Sequence, residues 1–437
     1  MGNYISFGKY NNLYKYIWIY LIINIIYDYI YGNAFPNQIK LSIFETKNYP
    51  PNILIQQGFN YFGSFILSIF IYLYEKSQLE GKIKKENVIL KLFTKKSELN
   101  QQTPSFFELI IKIIPVASCS ILSTLLIDNF LNIGLMGLDF WVFDLFFISY
   151  VNYLKFGKEV FRHKKFAIIF RLIFASFFHN NTTFIFLFDK SFDLIFKNHI
   201  LIIPLGIMIY INISLFRSYS LCSIKWLLDI KYISIGTFLL IYNLVGTIIL
   251  LIPCIIASCV KCVDKSIFND IDFICQIKIE KNNIIEYYYD NFSYFFKQLW
   301  REDKDIGINI LYLILFILKI IIYFIRIVAS ILLIKHLNPE SFLCSWEIYY
   351  FITRLLGLIT AIIQKEHILL EINHVLAELF STIGIMIYLE LIELKFFKLN
   401  YNLKKNIELR SLEEYLDNNI NLVMDDNGSS NDDRSYN

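Results

Sequence analysis

Residues 308–334 read INILYLILFILKIIIYFIRIVASILLI, a run whose only side chains charged at neutral pH are Lys319 and Arg326. Wound as a helix at 1.5 Å per residue, such a run covers about 40 Å, more than the ~30 Å hydrocarbon core of a bilayer. Runs of the same kind recur at 13–31, 53–75, 106–128, 137–156, 166–187, 199–217, 233–260, 343–363 and 370–393. The expectation is an all-α polytopic membrane protein with about ten transmembrane helices.

Composition points the same way. Hydrophobic residues make up 56% of the 437 and charged residues 18%, and mean hydropathy is +0.49. That is too little charge to cover a soluble surface of this size. Ile, Asn, Lys, Tyr and Phe are over-used, as in chains from AT-rich genomes, so run length carries more weight than raw hydropathy. A net charge of +3 with lysines dispersed between the runs excludes a nucleic-acid groove. The seven cysteines, Cys119, Cys222, Cys254, Cys259, Cys262, Cys275 and Cys344, show no repeated pairing pattern and are not a disulfide framework.

The spacing of the runs repeats once. In each half the second run is followed by a long charged loop, 76–105 and then 261–307, and the fourth meets the fifth across a short charged turn, 157–165 and then 364–369. An odd number of spans per unit inserts the second copy upside down, as in the inverted repeats of many secondary transporters. The expected organisation is a cytosolic N-terminus (1–12), a first five-helix repeat (13–198, with loop 76–105 cytosolic), a second (199–393, with loop 261–307 luminal or extracellular) and a cytosolic polar tail (394–437) too hydrophilic to build a core. With the N-terminus inside, Lys and Arg favour the inner loops by roughly two to one, placing both termini in the cytosol.

Two motifs agree with that orientation. Met1-Gly2-Asn3-Tyr4-Ile5-Ser6 matches the N-myristoylation pattern at Gly2, a cytosolic modification. Asn291-Phe292-Ser293 is a glycosylation sequon in a loop assigned to the outside, whereas Asn180, Asn181 and Asn212 fall within spans. The first run is interrupted by Asn24 and Asp28 and lacks a small-x-small cleavage site, so it is expected to be a retained span rather than a signal peptide.

Several stretches resemble the drug/metabolite transporter superfamily, in particular its solute-carrier and nucleotide-sugar-transporter-like branch. Ile53-Leu54-Ile55-Gln56-Gln57-Gly58-Phe59-Asn60-Tyr61-Phe62-Gly63-Ser64 looks like its second span, and Pro115 through Leu135 with Phe156-Gly157-Lys158-Glu159-Val160-Phe161-Arg162-His163-Lys164-Lys165 resembles its third-to-fifth-span region. Ser223-Ile224-Lys225-Trp226-Leu227-Leu228-Asp229 before Tyr242-Asn243-Leu244-Val245-Gly246 is similar to its sixth-to-seventh-span segment, without the Glu and Gly usual just before that last glycine. Tyr388-Leu389-Glu390 through Leu399, Ile407 and Arg410 looks like the C-terminal end of protist members. The resemblance implies a central cavity lined by the third, fourth, eighth and ninth spans.

A charged side chain at mid-bilayer costs ~2.5–3.5 kcal/mol on insertion scales unless paired or wetted, so each one is a candidate site. These are Asp144, Lys319, Arg326, Glu347 and Arg354, with Glu347 and Arg354 two helical turns apart on one face. Lys319, Arg326 and Arg354 would suit an anionic solute, and mutual structural pairing is the competing reading. His374 and Glu378, spaced i, i+4, together with His179, could relay protons or bind a metal, although structural hydrogen bonding is the stronger expectation. Arg171, near a span end, is expected to snorkel to lipid phosphate. Cys262 or Cys259 could pair with Cys275 in an oxidising lumen. With no phosphate loop and no Ser/His/Asp set, the chain is not expected to be an enzyme, and neither a metal nor a cofactor is expected. The leading function is a secondary transporter of a small anionic solute by alternating access, and the alternative is a non-transporting multipass scaffold or tether. Expected partners are membrane lipids, that solute and, as an assembly, a homodimer.

Overall fold

The computed structural model describes residues 5–7, 11–28, 53–85, 106–132, 143–157, 159–188, 202–260, 277–281, 284–288, 290–300, 305–365, 368–395, 399, 401, 403 and 406–411. Each apolar run of the sequence overlaps a helix, although 29–31 and 137–142 lie outside the described residues. These are α1 (Asn11–Asp28), α2 (Ile53–Lys85), α3 (Phe106–Asn132), α4 (Asp144–Phe156), α5 (Arg162–Phe188), α6 (Ile202–Asp229), α7 (Ile235–Cys259), α9 (Ile306–His336), α10 (Pro339–Gln364) and α11 (Ile368–Tyr388), with the short α8 (Phe292–Leu299) between α7 and α9. Two small antiparallel pairings complete the fold: β1 (Ile5–Phe7) with β4 (Ile392–Leu394), and β2 (Ile277–Lys281) with β3 (Ile284–Tyr288).

Among the described residues, α2, α3, α7, α9, α10 and α11 are long and apolar enough to cross a membrane. Large apolar side chains stand outward on this bundle, among them Phe70, Ile173, Ile252 and Ile363. The chain is a helical, multi-pass integral membrane protein. Several boundaries depart from expectation: α6 runs to Asp229 rather than 217, and α11 ends at Tyr388 with β4 following inside the run expected over 370–393. α2 continues past residue 75 to Lys85, and the loop expected over 261–307 contains the β2–β3 hairpin and α8.

Local chemistry sets the helix ends. Ser234 accepts the Thr237 amide at the start of α7, Asn338 accepts that of Ser341 before Pro339 opens α10, and Gly157 closes α4 at φ +63°. α2 and α7 are capped in trans. The Glu75 carboxylate accepts the Gly236 amide (2.9 Å) in the first turn of α7. At the far end of the same pair, Asp290 accepts the Ile55 amide (2.9 Å) in the first turn of α2. Asp290 is fully buried and also accepts the Asn291 amide (2.9 Å). Burial pushes its carboxyl up to about 6, outweighing the amide donors of Ile55, Asn291 and Leu54, which act the other way.

α2 and α7 therefore run antiparallel, and they pack closely. A Cβ on Gly246 would lie 2.3 Å from Tyr61 Cδ1, the Tyr61 and Tyr242 hydroxyls are 3.3 Å apart, and Asn243 Nδ2 donates to Ser68 Oγ (2.8 Å). α5 and α11 form a second extensive antiparallel pair, in which Phe380 stacks on Phe174 and Phe178. The remaining helices bridge these pairs: α3 packs on α6 and α7, α4 on α6, α1 on α9 and α10, and α9 on α2. The β1–β4 pairing brings the start of the chain and the exit of α11 to one end of the bundle. Leu399 and Leu403, at the head of the polar tail, are buried.

Candidate functional site

Arg171 is not at the lipid surface. It is fully buried on α5, where the close approach of α11 at Gly384, whose Cβ would stand 2.9 Å from Arg171 Cβ, encloses it. Its Nη2 pairs with Glu347 on α10, its Nε donates to Ser381 Oγ on α11 (2.8 Å), and that hydroxyl donates to Glu347 Oε2 (2.7 Å). The closed triangle replaces the water both charges lose, which is why the pair tolerates burial. Snorkelling is overturned because a carboxylate and a hydroxyl lie within reach inside the bundle.

Asp144, the first residue of α4, is 1% exposed and accepts from Arg217 Nη1 on α6 at 3.0 Å. Ser218 and Cys222, one turn apart on α6, donate to the carbonyls of Asp144 and Ile148 and fix the two helices in register. The Arg217 guanidinium also lies 4.9 Å from the Trp346 ring on α10, and so does that of Arg326 on α9. Such cation–π contacts are worth ~0.5–2 kcal/mol each. The Trp346 Nε1–H is buried without an acceptor among the described residues. Phe342 stacks beneath Trp346 and meets Tyr20 of α1, completing an aromatic wall. Counted from the nearer ends of α9 and α10, Arg326 and Trp346 lie roughly 10–15 Å along their helices.

About two turns closer to the β1–β4 end, Asn152 of α4 donates to Glu340 of α10 (2.6 Å), and Tyr388 of α11 links Glu340 to Ser149 of α4. These bonds tie α4, α10 and α11 together on that side of the charged centre.

The structure divides the sequence candidates. Arg326 meets Trp346 and Asp144 reaches it through Arg217, while Glu347, next to Trp346 in sequence, pairs with Arg171; Arg171 and Arg217 were not among the candidates. Lys319 is two turns from Arg326 on α9 and donates to Gln56 of α2 (2.5 Å). Arg354 is half-buried two turns beyond Glu347 and does not pair with it; Arg171 takes that place. His374 and Glu378 are buried on α11. His179 belongs to α5, with its side chain outside the described residues. Among the described residues no group of three or more His, Cys, Asp or Glu side chains could hold a metal. Gly2, Cys262 and Cys275 lie outside the described residues, and Cys259 is an exposed free thiol. Asn291 is 8% exposed and is occupied structurally: its Oδ1 caps α8 through the Tyr294 amide (3.0 Å) and its Nδ2 reaches Ser258 O (3.4 Å). The folded chain does not present that sequon.

The signal for Arg171 was its position inside an apolar run five residues from the start, and for Trp346 its place beside Glu347. Neither reveals its partner, since both contacts join helices distant in sequence. No family model, curated protein or solved structure matches this chain.

Proposed function

We propose that this protein is a secondary transporter carrying a small anionic solute by alternating access between two inverted five-helix units. The observation that carries the reading is Trp346, two turns inside α10, with the guanidiniums of Arg217 and Arg326 each 4.9 Å from its ring and a buried indole N–H lacking an acceptor among the described residues. Three partly buried donor groups beside one another favour a ligand rich in acceptors and negative charge.

Part of the helix packing agrees with the two-unit arrangement, although the extensive α10–α11 contact has no comparable α4–α5 counterpart among the described residues. If α1–α5 correspond to α6, α7, α9, α10 and α11 in order, inversion maps the α3–α6 contact onto α9–α1, α4–α6 onto α10–α1, and α3–α7 onto α9–α2. It maps α2–α7, α5–α11 and α4–α10 onto themselves, and all of these contacts are present. The reciprocal caps from Glu75 and Asp290 obey the same relation, because each helix of the α2–α7 pair has its N-terminus capped from its counterpart's side. Alternation would require the Asn152–Glu340–Tyr388 bonds to open while the Asp290 end closes. Both termini would then be cytosolic, as the Lys and Arg distribution suggests.

The test is thermal stabilisation of the purified protein in detergent against a panel of carboxylates, phosphate esters and sulfates. A solute that binds the folded form raises the midpoint according to RT ln(1 + [L]/Kd). At least one anion should stabilise the wild type, and Arg326→Gln should weaken that effect by about tenfold or more while its unliganded midpoint stays close to wild type. If no anion stabilises, or if Arg326→Gln responds like wild type, the carrier reading fails and a non-transporting scaffold of the same fold is left.

A further inference from the structure

A second concentration of positive charge lies at the β1–β4 end, away from the Trp346 centre. Trp226 occupies the last turn of α6, and three ammonium groups surround its ring: Lys231 at 5.3 Å, Lys155 of α4 at 5.6 Å and Lys112 of α3 at 5.9 Å. Lys155 also sits 4.5 Å from the ring of Tyr219, one face of α6 thus supplying two aromatic surfaces to a single amine.

Ion pairing accounts for only part of this charge. Lys112 is neutralised by Glu108 one turn before it, and the neighbouring Lys225 by Asp229 at 2.8 Å. Lys155 and Lys231 have no carboxylate within ion-pair distance among the described residues. An indole has two faces, so three cations within about 6 Å of its centroid cannot all be matched by the ring, and they repel one another. An anion among them would remove that repulsion. The surroundings are those of a membrane boundary: Tyr153 and Tyr232 stand exposed on the same helix ends, in the manner of interfacial aromatic belts.

We propose that the cluster of Lys155, Lys231 and Trp226, with the Lys112–Glu108 pair at its edge, binds the phosphate of an anionic phospholipid headgroup from the adjoining leaflet. Lys155 and Lys231 contribute charge from α4 and the α6–α7 turn, so a bound headgroup fastens these helix ends together. Trp226 and Tyr219 hold the amines toward the headgroup and give its glycerol backbone an apolar surface. In the orientation proposed above this is the cytosolic leaflet, where anionic lipids concentrate; the site itself is independent of whether the protein transports anything.

The experiment titrates the full-length protein in non-ionic detergent with dioctanoyl phosphatidylserine, with dioctanoyl phosphatidylcholine and with glycerol phosphate, reading the concentration that gives half-maximal thermal stabilisation. Phosphatidylserine should stabilise at lower concentration than either of the others. The double substitution Lys155→Gln with Lys231→Gln should raise that concentration by roughly tenfold or more. Replacing Lys76 and Lys395, exposed lysines at the same end, should change it by no more than about twofold. Equal loss in that control pair would mean a diffuse surface attraction and overturn the site. Stabilisation by glycerol phosphate equal to that by phosphatidylserine would overturn the lipid assignment in favour of a soluble phosphate, and equal stabilisation by phosphatidylcholine would overturn the charge argument. Should the double variant fold poorly, native mass spectrometry of the wild type decides: preferential retention of phosphatidylserine supports the proposal, and no preference overturns it.

Discussion

Arg171 and Glu347 are complementary charges held in place by Ser381, and neither has solvent to fall back on. Removing one partner strands the other, at a cost of roughly 3–5 kcal/mol, whereas apolar replacement of both is close to neutral. Arg171→Met and Glu347→Leu alone should therefore each lower the thermal midpoint and membrane yield, and the double variant should recover most of the loss. Independent, additive losses would contradict the pairing. Asp290 gives a second test at this scale. Its carboxyl moves from the ordinary 3.8 to about 6 on folding. The folded chain holds the extra proton between those values, so the stability this group contributes is complete below the lower value and is lost as pH rises through the upper. Measured against Asp290→Asn, the wild-type midpoint should fall from pH 4 to pH 7 by the equivalent of roughly 3 kcal/mol at most. A pH-independent difference between the two would sink this reading. Single residues were the least legible scale: Glu347 was recognisable as a costly charge, but Arg354, at helical spacing on the same run, looked like its partner, and nothing local to either run identifies Arg171 on another helix.

Helix contacts depend on where side chains are missing as much as on where they are present. At Gly246 an added methyl would enter the Tyr61 ring, 2.3 Å from Cδ1 and 2.6 Å from Cε1, while at Gly307 it would meet nothing within 4 Å. Gly246→Ala should destabilise by about 1–3 kcal/mol through overpacking of α2 against α7, and Gly307→Ala should not. Comparing their midpoints in one detergent checks it, and equal midpoints would argue against this packing. The long helices were legible because apolar length alone announces them. α8 and the β2–β3 hairpin were not, since segments of eight and five residues carry too few positions for periodicity to rise above the charged loop around them. α8 exists because Asn291 caps it and Phe295 packs on Phe59 of α2 (5.2 Å), a contact supplied by another part of the chain.

For the molecule as a whole, β1 beside β4 puts both ends of the helical domain at one face. Tags before β1 and after Ile407 should be equally protected from, or equally open to, protease in sealed vesicles; one protected and one cleaved would exclude the pairing. The alternation of runs and the placement of Lys and Arg lead one to expect both ends on one side, whereas the packing order of the helices was not readable, because every helix offers an apolar face to any neighbour. The carboxylate that caps α2 also sets a timetable. Asp290 lies 235 residues beyond Ile55, and at ~5–20 residues per second it leaves the ribosome roughly 10–50 s later. Throughout that interval the Ile55 amide is without the acceptor it has in the folded chain. The cap of α2 therefore forms only after Asp290 has been made, and a chain terminated before that residue lacks it.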